Sequence, residues 1–175
     1  EKIELPTTFT VTEKPQNFLT LDYLQYSTDS ENYSKKMHYM GAFNLLLKSN
    51  YQGDVYLKYD FDVKKIPETC LALIEDTNTK EVTINGKKVE KCGTILEKDL
   101  WKFDVAKYLK EGNNEIIVKI NFFEKDIVYY ALFGKDVQES IRNCLAYDTT
   151  IEAIYLMGDF GVYGDFKQGE NKDCY

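Results

Sequence analysis

The sequence predicts an all-β, antiparallel sandwich, and three observations carry that prediction. Residues 55–63 alternate, with Val55, Leu57, Tyr59, Phe61 and Val63 on one side and Lys58, Asp60 and Asp62 on the other. That period of two is the signature of a half-buried strand. Residues 115–122 repeat it with Ile116, Val118, Ile120 and Phe122. Between them lies Asn85-Gly86 with apolar residues on either side. Such a pair marks a two-residue hairpin, because a type I′ turn needs φ > 0 at both central positions. Several short strands with turn signals and few helical stretches suit a sandwich.

The elements follow in chain order. Residues 1–17 are read as an extended lead-in, with Pro6 and Pro15 breaking any regular element. Phe18–Leu24 reads as a first strand, and Ser27 to Lys36 as a polar loop. Met37, Met40, Phe43, Asn44 and Leu47 keep helical spacing, which predicts a short helix over 37–48 despite Gly41. After the strand over 55–63, Cys70–Ile74 is mostly apolar, as in a strand buried on both faces. Val82 and Ile84 lead into the Asn85-Gly86 turn. Asp104 precedes a short helix-like turn closed by Gly112, and its side chain is expected to cap that turn. Gly112-Asn113-Asn114 is a second turn signal before the strand at 115–122.

Ile127–Leu132 reads as another strand. A second helix is expected from Asp136, with Glu139 completing a capping-box-like pair and Val137, Ile141, Cys144 and Leu145 as its apolar stripe. Residues 151–157 read as the closing strand, and 158–175 as a loose, glycine-marked tail.

The stretch Ile84-Asn85-Gly86-Lys87-Lys88-Val89, then Phe103-Asp104-Val105, Tyr108-Leu109, Gly112-Asn113 and Ile116-Ile117-Val118, resembles one family in order and spacing. It is similar to the sugar-binding domain of glycoside hydrolase family 2 enzymes, a non-catalytic jelly roll of the galactose-binding-like type. Weaker similarity extends to Gly53–Phe61 and to Ile151–Leu156. Before the closing strand the chain departs from that pattern. Tyr147-Asp148-Thr149-Thr150 stand where the family has a Gly-Gly-Ile turn and an arginine. The departure points to a divergent relative, such as the corresponding part of a rhamnosidase-like enzyme.

The resemblance implies a jelly-roll sandwich with one or two short helices, forming one accessory domain over residues 1–175. It implies a module of a longer bacterial hydrolase whose catalytic carboxylates lie in a separate barrel. The opening Glu1-Lys2-Ile3-Glu4 fits a cut inside such a chain. The expected partners are carbohydrate or an adjacent catalytic domain of the same chain. The alternative is a purely structural interdomain module without a ligand. The cell compartment is left open.

Composition agrees with a folded domain and narrows its partners. The chain has 175 residues, 43% hydrophobic and 14% aromatic, enough for a real core. Its net charge of −7 disfavours nucleic acid and anionic membrane, both of which need a basic face. Of 22 basic residues only Arg142 is arginine, so bidentate recognition of anions is not prepared. No apolar run reaches the roughly 18 residues that span a bilayer.

The chemistry-bearing residues are few. His38 is the single histidine, and a Ser-His-Asp set would need it as base. Two carboxylates must flank a glycosidic bond that is to be cleaved, and the sequence singles out no pair among its 29 acidic residues. No cofactor is indicated. Structural calcium would have to come from Asp29, Glu31 and Asn32, which lack an EF-hand order. Cys70, Cys92, Cys144 and Cys174 show no metal-binding spacing and read as free thiols; Cys70 and Cys92 are the pair to expect if a disulfide exists.

Sugars offer apolar faces to aromatic rings and hydroxyls to polar partners. Trp101 shares a strand face with Phe103 and is expected in the core; it is also a candidate sugar contact. Tyr147 and Asp148, by their position before the closing strand, are the other candidates. Tyr163 and Phe166, among the tail glycines, are the candidate docking residues for a neighbouring domain.

Overall fold

The computed structural model describes residues 8, 10, 12–76 and 78–164. Two antiparallel sheets face each other. The first holds β1 (Asn17–Leu21), β5 (Cys70–Glu75), β8 (Lys91–Ile95), β9 (Glu97–Asp104) and β11 (Ile154–Gly158), in the order β1-β11-β5-β9-β8. The second holds β2 (Tyr23–Ser27), β3 (Met37–His38), β4 (Gly53–Val63), β6 (Thr79–Ile84), β7 (Lys87–Lys88) and β10 (Gly112–Phe122), in the order β3-β2-β4-β10-β6-β7. This is the all-β antiparallel sandwich that the periodicity predicts.

The two alternating segments pair with each other. β4 and β10 run antiparallel from Gly53↔Phe122 to Val63↔Gly112. Val55, Leu57, Tyr59 and Phe61 therefore lie beside Ile116, Val118, Ile120 and Phe122 on the inner face, all buried. They meet Cys70, Ala72 and Ile74 of β5 and Ile154 and Leu156 of β11 from the other sheet in one core. The Tyr59 hydroxyl, carried into that core, donates to the Glu152 carbonyl at 2.7 Å. A buried hydroxyl needs such a partner.

The Asn-Gly turn behaves as its residues require. Asn85 (φ 49°) and Gly86 (φ 76°) occupy the left-handed region between β6 and β7. Ala106 N donates to Asp104 Oδ1 at 3.4 Å beside a 3₁₀ turn over Ala106–Tyr108, but the N-cap of that turn is Val105 and no side chain caps it, so the Asp104 cap expected from sequence is not formed.

Helix α1 (Tyr39–Lys48) turns Ala42, Phe43, Leu46 and Leu47 into the core. His38 is its N-cap: the Nδ1 atom accepts from Met40 N at 3.3 Å, and the ring lies against Tyr23 and Tyr39. That gives the single histidine a structural task.

Several sequence expectations need correction. Phe18–Leu24 is two strands broken at Asp22, and the halves join opposite sheets. The span from 91 to 102, with no element assigned from sequence beyond Trp101 itself, is the β8–β9 hairpin. Ile127–Leu132 is not a strand but the middle of a helix, α2 (Asp126–Phe133). A continuous apolar run has no period to separate the two states. Here Asp126 sits in the first turn and Gly134 ends the helix, its N–H donating to Tyr130 O at 2.8 Å. A Cβ at Gly134 would meet that carbonyl oxygen at 2.4 Å.

Asp136 caps nothing. Its φ is 56°, and the five-residue helix α3 (Glu139–Asn143) starts after Gln138. The described residues thus hold three short α-helices, where one or two were expected. Closing strand β11 begins at Ile154, three residues later than read from sequence. Cys70, Cys92 and Cys144 are free thiols, so the conditional Cys70–Cys92 disulfide is not formed. Cys174, Phe166 and the end of the tail lie outside the described residues.

Candidate functional site

A polar cluster forms where β10 ends and the chain enters α2. Two segments meet there: Phe123-Glu124-Lys125, and Tyr147-Asp148-Thr149 ahead of β11. Glu124 is 4% exposed. Its Oε2 accepts from Asp148 N at 2.8 Å and its Oε1 from Thr149 N at 3.1 Å. The Thr149 hydroxyl donates to Phe123 O at 2.9 Å and accepts from Phe123 N and Asn78 Nδ2. That uses the one proton and both lone pairs of the hydroxyl. Gln52 Nε2 donates to Glu124 O at 3.0 Å.

The two carboxylates titrate in opposite directions. Burial raises the Glu124 pKa; the two backbone N–H groups oppose this, and the Asp148 charge adds to it. The Lys125 hydrogen bond lowers the Asp148 pKa. Asp148 is ion-paired to the Lys125 ammonium and accepts from Lys125 N at 3.1 Å. Carboxylates pushed apart in this way are what acid–base chemistry uses. Here both oxygens of Glu124 hold backbone amides, and Asp148 is fastened to Lys125. The arrangement latches the 147–149 loop onto the end of β10.

Among the sugar-contact candidates, Tyr147 and Asp148 are brought together in this latch. The Tyr147 ring packs edge-to-face on Phe43 of α1 with centroids 5.0 Å apart and stays partly exposed. Trp101 is elsewhere, on β9, paired with Ile74 and Thr94. It is half-buried against the core. The Lys91 ammonium lies over its ring, 3.8 Å from the centroid.

Tyr163 is 75% exposed, with Lys64 Nζ 4.8 Å from its ring centroid. A larger exposed apolar set was not foreseen: Ile127, Tyr130 and Phe133, along one side of α2.

The calcium candidates form a self-contained loop. Asp29 Oδ1 accepts from Ser27 Oγ, Glu31 N and Asn32 N, and Oδ2 accepts from Asn32 Nδ2. These bonds hold the Asp29 carboxyl well below the usual carboxylate range. Among the described residues no group of three His, Cys, Asp or Glu side chains is placed to hold a metal ion.

Sequence reasoning missed Glu124, Lys125, Thr149 and Asn78. The one local signal was an acidic residue directly after the apolar Phe122-Phe123 strand end.

No family model matches the chain, and no curated protein does. Solved structures do. The chain is similar to a β-D-mannosidase from Dictyoglomus thermophilum, with 19% identity and a TM-score of 0.52 over 81% of this chain and 22% of that one. It is similar to a β-glucuronidase from Ruminococcus gnavus, with 15% identity and a TM-score of 0.52 over 86% of this chain and 31% of that one. A β-D-glucuronidase from Dictyoglomus thermophilum gives 16%, 0.51, 86% and 29% in the same order. At these identities the likeness is one of fold. The chain spans less than a third of the length of these enzymes.

Proposed function

We propose that the chain is a non-catalytic accessory sandwich of a bacterial glycoside hydrolase, related to the sugar-binding domain of family 2 enzymes. It supports or rims the active site of a separate catalytic domain. The observation that carries this reading is the extent of the structural likeness: most of this chain superposes on 22–31% of glycosidase chains. The Asn-Gly and Gly-Asn-Asn motifs of the resemblance add a second, independent support.

Within this reading, docking and rim formation are favoured over autonomous sugar capture. Asp148 is tied to Lys125, and Lys91 covers Trp101. The exposed apolar side of α2 and the exposed Tyr163 suit contact with a neighbouring domain. A purely structural interdomain module draws on the same observations.

The test is an assay of the isolated chain on a panel of aryl glycosides, beside the product of the full open reading frame. The chain alone is expected to be inactive and the full product active. Turnover by the chain alone that disappears when one carboxylate or His38 is mutated would overturn the proposal.

A further inference from the structure

We propose that the cleft between α2 and α3 is a binding site for a small phenolic ring, its hydroxyl held at the Lys125–Asp148 pair. The cleft has a volume of about 200 Å³. Its walls are apolar: Ile127 and Ala131 from α2, Ile141 from α3, then Leu145 and Ala146. Lys125 and Asp148 supply its polar lining.

Size and lining select the ligand. Apolar cavities of about 150 Å³ take up benzene, so this volume suits one six-membered ring with a substituent. Ala131, Cys144 and Ala146 are the small side chains of its lining. An aliphatic sugar ring, hydroxylated all round, would leave most of its polar groups unpaired against these walls.

The polar lining selects the substituent. Lys125 and Asp148 neutralise each other, so the site does not demand a charged ligand. Asp148 accepts two hydrogen bonds, both from Lys125, and a carboxylate has about four acceptor positions. A phenol hydroxyl can therefore donate to Asp148 without breaking the ion pair. The Lys125 side chain is 70% exposed, and its ammonium, with three N–H groups, keeps donors for the phenol oxygen. The latch at Glu124 fixes Asp148 in place beforehand, so little ordering is required when the ligand arrives. This inference does not rest on the accessory-module reading.

Cys144 is an internal reporter, because it is a free, exposed thiol in the cleft wall at the end of α3, while Cys92 is a free, exposed thiol on β8 outside the cleft. The experiment alkylates the protein with iodoacetamide under phenol titration and follows the Cys144 and Cys92 peptides by mass spectrometry. For a ligand this small a Kd of about 1 mM is expected. About 5 mM phenol should then slow Cys144 alkylation about six-fold and leave Cys92 unchanged. Ala146→Leu, at an exposed wall position, should abolish the protection without unfolding the protein. Four results would overturn the site: no protection of Cys144, equal slowing at Cys92, equal protection by benzene, or protection by methyl glucoside but not phenol. The wild-type titration decides by itself if the variant fails to fold.

Discussion

Asn114 Oδ1 accepts a hydrogen bond from Asn85 Nδ2 at 2.9 Å, joining the Asn85-Gly86 turn to the start of β10, 29 residues on in sequence. Asn114 is fully buried. Its Oδ1 also accepts from Lys110 N, and its Nδ2 donates to Lys110 O and Gly112 O. Asn85 in turn donates to Tyr108 O and accepts from Glu115 N. The Asn85-Gly86 turn and Gly112-Asn113-Asn114, which open strand β10 and do not form the separate turn expected from sequence, are therefore one polar unit at one end of the β6–β10 pair. Asn114→Ala leaves these partners unpaired and should destabilise by about 2–3 kcal/mol. Chemical denaturation measures this; a loss within experimental error would show that the unit is dispensable.

Gly86→Val tests the turn itself. A Cβ at Gly86 meets nothing within 4 Å, so the cost is purely that of holding a β-branched residue at φ 76°. It should be about 1–2 kcal/mol, lowering the melting temperature by about 2–8 °C. An unchanged melting temperature would argue against the tight turn.

Glu124→Gln should loosen the loop latch. A carboxylate accepts both backbone amides, whereas the amide NH₂ of Gln faces one N–H with another. A loss of about 1–3 kcal/mol is expected. The pH dependence has a definite sign. The folded pKa of Glu124 is raised, so its contribution is fully present below the unfolded value of 4.5 and is lost as pH rises through the folded value. The stability difference between wild type and variant should widen as pH falls from 7 towards 4.5. A narrowing difference would contradict the burial-driven shift.

Asp29 acts in the opposite sense. Hydrogen bonds hold its pKa below the ordinary aspartate value of 3.8, so the loop it organises persists above that pH and is lost only as pH falls through the lower, folded value. A carboxyl ¹³C titration should find it ionised well below pH 3.8. Calcium should leave the melting temperature unchanged, because both Asp29 oxygens are already engaged. A calcium-dependent rise would reinstate the loop as a cation site.

Simple sugars should bind the isolated chain weakly or not at all. Calorimetry with galactose, rhamnose and oligosaccharides should give no Kd tighter than about 1 mM, roughly 4 kcal/mol. Fluorescence of Trp101, the single tryptophan, should stay unchanged under the same titration. Tighter binding would make the chain a carbohydrate-binding module in its own right.

The sequence by itself determined the sandwich, because strand alternation and left-handed turns are local. The 55–63 and 115–122 patterns each declare an inner face, and Asn85-Gly86 declares its φ angles without reference to the rest of the chain. The apolar run 127–132 carried no such local period; in the structure it is a helix that buries Val128 and Ala131.

The site was decided by tertiary structure alone. Glu124 meets Asp148 and Thr149 across more than twenty residues, and Lys91 covers Trp101 through strand pairing. Free side-chain carboxylates look alike in a sequence. Burial and the amides that meet them make Glu124 a latch, and only the folded chain brings those together.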